Sequence, residues 1–305
     1  MRIVSLVIVS LFSYTLALTQ PPQAPLYTLD NIKLPVELNK QVCISGMKSY
    51  NGQLYFASER CPKIIVFDPV KAEISRTIAI QVPQEFEMEG MTSYKDKLYT
   101  ISENVAAVYE INIQSGAVKT ITTSINLPPK SKDGDGMEGI AANEKNNKFY
   151  LLRERDADMS HSQIYTFSVQ PGNESSPIVL KNESMIELPL ENPQWRYSDI
   201  CVDPENSRLL CLKSYAKGKF RQQYLEAIDI SADGKLLLET LKNIPVDNFT
   251  DASNAFKSQN YSMNLEGITI DSAGTIYIIS DNTSGKANCD MPAKEKTILL
   301  ELKKN

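Results

Sequence analysis

The stretch MEGMTSYKDKLYTISE, residues 88–103, decides the fold because its pattern recurs along a chain of 305 residues. A Glu-Gly pair begins one short strand, a polar turn follows, and a second apolar strand ends in an acid. Related segments occupy residues 44–59, 138–154, 198–214 and 265–281. Such internal similarity indicates a repeat architecture, in which one supersecondary unit is used several times.

Each repeat predicts a β-hairpin followed by two further strands. Asn51-Gly52, the turn of the first repeat, is the strongest short hairpin signal. The second strands are nearly continuous apolar runs, which are typical of strands covered on both faces. The fourth strands end in apolar-proline pairs, namely Leu34-Pro35, Val82-Pro83, Leu127-Pro128, Leu188-Pro189 and Ile244-Pro245. Proline cannot donate to a ladder, so these strands belong at a sheet edge.

Five units of four strands predict an all-β fold, a five-bladed β-propeller. The chain starts with a fourth-type strand, about residues 27–34, and ends with a third-type strand, 297–302. We therefore expect the N-terminal strand to close the last blade. Two long stretches, 173–185 and 246–263, leave a six-bladed propeller open as the alternative.

The N-terminus resembles a secretory signal. Arg2 precedes an apolar run that is too short to span a bilayer, and we expect cleavage near Ala17. The expected location is therefore secreted or periplasmic. The predicted organisation is a signal peptide (1–17), a lead-in with the closing strand (18–36) and a single propeller domain (37–305).

The composition narrows the range of partners. Asp and Glu number 37 against 32 Lys and Arg, and the net charge is −5. Because no basic patch or tail occurs, nucleic acid is not expected as a partner. No further apolar run approaches membrane length, so we expect no membrane span. A small-molecule or phosphorylated ligand and a monomeric state are the remaining expectations.

The repeat gathers acidic residues at one face of the predicted propeller. The first strand begins, and the antiparallel second strand ends, at the same face. Because the first strand lines the central channel, one mouth collects an inner set: Ser45, Glu89, Glu138, Asp199 and Glu266. A second set lies close behind it: Glu59, Glu103, Glu154, Ser214 and Asp281.

Carboxylates this close repel one another and have raised pKa values unless a cation neutralises them. Calcium accepts several oxygen ligands in irregular geometry, so it is the predicted cofactor. The predicted metal ligands are Glu89, Glu138, Glu266, Asp199, Glu103, Glu154, Asp281 and Glu59. Asp133 and Asp135 add oxygens to the same face. The alternative is a structural role, in which the acids cap backbone amides and hold neighbouring blades together.

A Ser-His-Asp hydrolase is disfavoured. Such an enzyme needs a histidine base, and the chain contains one histidine, His161, in a polar segment. No Gly-x-Ser-x-Gly elbow occurs, so we expect His161 to be a loop residue.

Five cysteines are compatible with disulfides in an oxidising compartment. Cys43 and Cys61 flank the first hairpin symmetrically, which predicts a cross-strand bridge between them. The rival pairing is Cys61–Cys289. Cys201 and Cys211 oppose each other across another hairpin and can stay reduced as small apolar core residues.

Three segments resemble the phytase-like domain family, also called "esterase-like activity of phytase". They are NLEGITIDSAGTIYIISDN (264–282), YSDICVDPENSRLLCLKS (197–214) and DGMEGIAANEKNNKFYLLRERD (135–156). The same repeats are similar to the SdiA-regulated propellers, which are five-bladed and bind calcium. The resemblance covers roughly residues 40–302.

The resemblance implies a calcium-dependent hydrolase acting on a phosphoester, with the metal holding phosphate and activating water. Arg60, Arg153 and Lys213 are the cations expected to bind such a substrate, and Arg155 and Lys217 are further candidates to hold its phosphate. Three departures weaken the pattern, because Ser45 replaces a Glu, Asp199 stands in a Gly position and Ser214 stands in the position of the acid. Whether the chain is an enzyme stays open. The alternative is a non-catalytic propeller that binds a ligand or protein, with structural calcium.

Overall fold

The computed structural model describes residues 26–35, 38, 43–82, 86–131, 135–173, 176–218, 220–246, 249–282, 293 and 295–305. In this part the fold is all-β, with strands β1 to β20 and one α-helix, α1 (Phe249–Ser258). No helix in these ranges has the length and apolarity needed to cross a membrane. The predicted signal peptide, residues 1–17, lies outside the described residues.

In the described ranges the strands form three four-stranded sheets and one eight-stranded sheet, which divide into five antiparallel groups of four strands that we call meanders. Meander one contains β2 (Ile44–Tyr50), β3 (Gln53–Ser58), β4 (Lys63–Asp68) and β5 (Glu73–Ala79). Meander two contains β6 (Met88–Tyr94), β7 (Lys97–Ser102), β8 (Ala107–Ile111) and β9 (Val118–Thr123). Meander three contains β10 (Met137–Asn143), β11 (Lys148–Arg153), β12 (His161–Pro171) and β13 (Ile178–Pro189).

The last two meanders complete the set. Meander four contains β14 (Trp195–Asp203), β15 (Arg208–Lys217), β16 (Phe220–Ile230) and β17 (Leu236–Ile244). Meander five contains β18 (Asn264–Ile270), β19 (Ile276–Asp281), β20 (Leu299–Lys304) and the N-terminal β1 (Tyr27–Ile32). Because β1 pairs with β20 from Tyr27 to Ile32, the prediction that the N-terminal strand completes the last unit is confirmed.

The first strands of the meanders form a closed ring. Each first strand contacts the next one in the ring: β2 contacts β6, β6 contacts β10, β10 contacts β14, β14 contacts β18, and β18 contacts β2. We call these five the inner strands. Sheets arranged around such a ring are the architecture of a β-propeller. One parallel pairing, Val179–Leu180 with Thr122–Thr123, also joins meanders two and three into an eight-stranded sheet.

The hydrophobic core lies between neighbouring meanders. Along β3, Leu54 and Phe56 pack toward meander five, whereas Tyr55 and Ala57 pack toward meander two. Successive side chains of a strand point to opposite faces, so a strand covered on both faces must be apolar at every position. This explains the unbroken apolar runs of the second strands.

The two long stretches that left a sixth blade open contain other structure. Residues 178–189 form one continuous strand, β13, and most of the second stretch forms α1. Within the described residues, neither contributes a further sheet.

Every inner strand carries a β-bulge at the repeated motif. The ladder register shifts between Ile44 and Gly46, Met88 and Met91, Met137 and Gly139, Tyr197 and Asp199, and Leu265 and Gly267. A bulge leaves its extra residue unpaired and redirects the side chain. The residues outside the ladder therefore include Ser45, Glu89, Glu138, Ser198 and Glu266.

The bulge in β2 also offsets Cys43 from Cys61. The carbonyl of Cys43 accepts a hydrogen bond from the N–H of Glu59 at 2.8 Å, so Cys61 lies two residues beyond the cross-strand partner. Cys43 is a reduced thiol, whereas Cys61 is disulfide-bonded. The predicted Cys43–Cys61 bridge is therefore wrong. Its rival involves Cys289, which lies outside the described residues.

Candidate functional site

The bulged ends of the inner strands and the ends of the second strands surround a cavity of about 240 Å³. We call it the acidic cavity. Its lining consists of Ser45, Glu59, Glu89, Glu103, Asp135, Glu138, Glu154, Arg155, Arg196, Asn264, Glu266 and Asp281. Eight of these side chains are carboxylates and two are guanidinium groups. The structure thus brings together seven of the eight predicted metal ligands.

The second-strand acids are positioned by a repeated backbone contact. The N–H groups of Glu59, Glu103 and Glu154 donate to the carbonyls of Cys43, Glu87 and Gly136, at 2.8, 3.2 and 2.9 Å. Each acceptor lies two residues before the motif residue of the inner strand. The same local geometry therefore sets an acid beside the bulge in three meanders.

Asp199 is the predicted ligand that does not reach the acidic cavity. It occupies the Gly position of its repeat, and its fully buried carboxylate accepts N–H groups of Ile200 at 2.8 Å and Ile268 at 2.9 Å. The glycine of β6 makes room for it, because a Cβ atom at Gly90 would lie 2.9 Å from Asp199 Oδ1. Asp199 thus ties β14 to β18 inside the ring, which corrects its placement at the mouth.

Glycine at this position is required by close approach of neighbouring inner strands. A Cβ atom at Gly46 would lie 2.3 Å from the carbonyl oxygen of Glu89, which is a steric clash for two non-bonded atoms. Substitution would therefore push β2 away from β6.

Arg196 is the site residue that the sequence analysis missed. Its Nη1 lies 2.6 Å from Glu154, and its Nη2 lies 2.6 Å from both Glu266 and Asn264. Burial lowers its pKa, but the charges of Glu266 and Glu154 raise it well above the ordinary value. Arg196 and Asn264 each stand two residues before the motif residue, Ser198 or Glu266, so aligning the repeats further upstream would have found them.

Two more cations neutralise part of the acidic lining. Arg155 Nε donates to Asp135 at 3.0 Å. Lys130 pairs with Glu103 and, at 3.0 Å, with Glu87. The chain therefore supplies its own counter-ions to a subset of the carboxylates.

Of the five cations predicted as candidates to bind substrate, Arg155 belongs to the lining, whereas the other four, Arg60, Arg153, Lys213 and Lys217, lie outside it. Arg60 pairs with Glu59 at 2.8 Å, and Lys213 pairs with Glu191 at 2.8 Å. Arg153 is the last residue of β11, directly before Glu154. Of the described cations, Arg155 and Arg196 are the ones that face the acidic cavity.

Two carboxylates of the lining, Glu138 and Glu89, have no ion pair among the described residues. Burial, followed by the charges of Glu89 and Glu154, raises the pKa of Glu138 well above the ordinary value. The pKa of Glu89 is also raised well above the ordinary value, by burial and then by the charges of Glu59 and Glu103. The Oε1 atom of Glu103 is buried without a hydrogen-bond partner in the described structure.

Two pKa values fall near neutrality. Burial raises the pKa of Glu103 to about 7, with Lys130 opposing and Glu154 adding to the shift. Burial, then contact with Glu154, raises the pKa of Asp135 to about 6, with Arg155 opposing. Both acids therefore change charge in the range where most proteins are assayed.

The chemistry of the lining suits a hard cation. Carboxylates, the Ser45 hydroxyl and the Asn264 amide offer oxygen ligands of the kind that calcium prefers. In the described residues, no three His, Cys, Asp or Glu side chains are already placed to hold one metal ion. Calcium would therefore require acids such as Glu154 and Glu266 to turn away from Arg196.

His161 is the first residue of β12 and pairs with Pro189, so the expectation of a loop residue is wrong. Its side chain lies in a small polar cluster. Its Nδ1 atom lies 2.8 Å from the Ser160 hydroxyl and 3.4 Å from Asp156. A catalytic triad needs serine and carboxylate on different ring nitrogens. Because both partners share Nδ1, this arrangement supports no triad.

Comparison with known proteins found a matching family and similar folds. A family model described as "Phytase-like: Esterase-like activity of phytase" matches residues 46–283. The crystal structure of Myxococcus xanthus glutaminyl cyclase is similar at 12% identity, covering 92% of this chain and 97% of that chain, with a TM-score of 0.50. A streptogramin B lyase structure is 13% identical over 91% and 98% of the two chains, with a TM-score of 0.43. No curated protein sequence matches the chain. The likeness to glutaminyl cyclase shows a shared fold alone.

Proposed function

The chain belongs to the phytase-like family, and from that premise we propose that it is a secreted or periplasmic five-bladed propeller whose acidic cavity binds calcium. In this proposal each four-stranded meander is one blade, which the ring of inner strands supports. The observation that carries the calcium site is the excess of eight carboxylates over two guanidinium groups around one cavity.

Further support comes from buried carboxylate groups that are only partly compensated within the described residues. Burying a charged group is costly unless it is paired or bound to metal. Glu103 Oε1 has no hydrogen-bond partner within the described residues, and Glu138 has no ion pair there. A bound divalent cation would compensate both.

The proposed reaction is calcium-dependent hydrolysis of a phosphoester. Bound calcium supplies a positive charge that holds phosphate oxygens and activates water. Arg155 and Arg196 already face the cavity. Acids that turn toward calcium would release these guanidinium groups, which suit bidentate binding of phosphate.

A second candidate function is binding without catalysis, with calcium in a structural role. The observation that favours it is that Arg196 and Arg155 are both engaged by carboxylates. No histidine lies in the described lining to serve as a base. A ligand or protein partner would then dock on the same face.

Calcium binding is tested first. Chelator-stripped protein is titrated with calcium by isothermal titration calorimetry, beside the double variant Glu138→Gln plus Glu266→Gln. The wild type should bind calcium, and the double variant should lose most of the affinity. Glu73→Gln, an exposed acid on β5 with 59% of its side chain accessible, is the matched control. Absence of binding at saturating calcium would contradict the proposed calcium site.

Catalysis is tested on the same preparations. A panel of phosphoesters and carboxylic esters is assayed with calcium and with chelator. Turnover that needs calcium and disappears in the double variant supports hydrolysis. Calcium binding without turnover on the panel supports the second candidate. N-terminal sequencing of the protein recovered outside the cytoplasm tests cleavage near Ala17.

A further inference from the structure

The opposite end of the inner strands encloses another cavity, of about 350 Å³. We call it the basal cavity. Each inner strand contributes one residue to it at the same distance from its motif: Ser49, Ser93, Ala142, Val202 and Ile270. Lys48 of β2 lies beside them. Volumes of roughly 300 Å³ and above are typical of small-molecule sites.

Lys48 brings a positive charge into this cavity, whose lining also holds Lys145 and the acids Glu144 and Asp271. Its side chain is partly buried, and its Nζ atom has no hydrogen bond or ion pair within the described residues. The two acids of the lining are engaged elsewhere. Glu144 accepts the N–H of Lys95 at 2.9 Å, and Asp271 accepts the N–H groups of Ala273 and Thr275, both at 2.9 Å.

The surroundings of Lys48 disfavour its charge. Burial lowers the pKa of its amine, and the nearby Cys201 and Glu144 oppose this shift only in part. Lysine is rarely buried unless it is paired. An anion on Nζ would compensate the charge.

We propose that the basal cavity binds a small organic anion, with its carboxylate or phosphate group on Lys48 Nζ. The Ser93 hydroxyl supplies a second donor, and the apolar part of the ligand packs against Ala142, Val202 and Ile270. The mixed lining excludes a simple inorganic ion as the best fit, because three of the five strand positions are apolar.

This site is independent of the acidic cavity. The two cavities share the inner strands but share no lining residue. Binding at Lys48 requires no calcium, so it can be measured with chelator present.

The test uses two aromatic anions, benzoate and phenyl phosphate, and the neutral analogue benzyl alcohol. Affinities for the full chain are measured by ligand-observed NMR in chelator. The wild type should bind at least one anion and bind it more tightly than benzyl alcohol. Which anion binds better distinguishes carboxylate from phosphate as the natural group. Failure of both anions, or equal affinity for benzyl alcohol, overturns the proposal.

Variants locate the binding. Lys48→Met should weaken anion binding by about tenfold or more, as expected for one lost charge-assisted hydrogen bond, whereas Lys48→Arg should retain it. Lys235→Met is the control, because Lys235 has 71% of its side chain exposed and lies in the β16–β17 turn. Unchanged binding in folded Lys48→Met overturns the proposal. Loss of binding in Glu138→Gln does so too, because it would place the anion in the acidic cavity.

Discussion

The two ends of the same five strands differ in charge and in how that charge is compensated. At the acidic cavity, bulges present motif residues such as Glu138 and Glu266, and cations from the chain itself pair with some of the acids. At the basal cavity, the inner strands contribute Ser, Ala, Val and Ile near their ends, and Lys48 has no ion pair within the described residues. The same five strands thus carry the acidic cavity, where cations of the chain pair with some of the acids, and the basal cavity, where Lys48 has no ion pair within the described residues.

The difference shows that a cation has opposite effects on the stability of the fold at the two ends of the strands. Arg196 stabilises the ring because it holds two carboxylates together. Lys48 costs stability because burial opposes its charge. Removing each cation should therefore change the free energy of unfolding in opposite directions.

The largest effect is expected for Arg196→Met. Loss of the guanidinium leaves Glu154 and Glu266 buried without their shared partner, which should lower the free energy of unfolding by about 3 kcal/mol. Urea unfolding in chelator at neutral pH measures it. Arg76→Met, on the exposed edge of β5, should change stability by less than about 0.5 kcal/mol. A loss no larger than that of the control would show that the ion pairs are marginal.

The second effect is a fall in stability of the calcium-free protein as pH rises from about 4.5 to about 7. The pKa of Glu103 is raised to about 7 and that of Asp135 to about 6, so the folded state holds these protons more tightly than the unfolded state. Their contribution is present below the unfolded pKa and is lost as pH rises through the folded pKa.

This pH dependence is measured by urea unfolding at several pH values in chelator. Glu103→Gln should flatten it, since the amide does not titrate. Saturating calcium should restore stability at the upper end by binding the ionised acids. A pH profile identical in the wild type and Glu103→Gln would contradict the raised pKa.

A third expectation concerns Asp199, which lies in the ring between the two cavities. Asp199→Asn should lower the free energy of unfolding by about 2 kcal/mol, because one of its two backbone hydrogen bonds is lost. Calcium affinity should stay within about twofold of wild type, measured by calorimetry at a temperature where the variant is folded. A large loss of calcium affinity would return Asp199 to the set of metal ligands.

The smallest effect is expected at the basal cavity. Lys48→Met removes a partly buried charge and keeps a side chain of similar length, so it should raise the free energy of unfolding by about 1 kcal/mol. Lys235→Met, measured by the same urea unfolding, should be close to neutral. Destabilisation by Lys48→Met would mean that the amine has a stabilising partner and would remove the contrast between the two ends.

Much of the acidic cavity could be predicted from the sequence because the motif is local and repeated. The Glu-Gly pair and the acid after the second strand recur, so antiparallel pairing is enough to bring Glu89, Glu138, Glu266 and Glu103 to one face. Cys43 shows where this reasoning failed. The prediction ignored the bulge in β2, and Cys43 lies opposite Glu59 rather than Cys61.

Arg196 and Asp199 show a different limit. Both lie in the meander whose motif departs from Glu-Gly, and both act on residues that are distant in sequence, Glu266 and Ile268. The sequence showed that the motif of this repeat differs from the others. It did not show what Arg196 and Asp199 contact, because their partners belong to β18, which contacts β14 only in the closed ring.

The sequence by itself determined the strands, their grouping into units of four and the gathering of acids at one end. These follow from side-chain alternation, turn chemistry and repetition, which act over a few residues. The tertiary structure decided which side chains fill the space that Gly90 leaves, which cations face the acids and that Lys48 stands unpaired within the described residues. Those outcomes depend on the register and close approach of strands far apart in the chain, which no local pattern encodes.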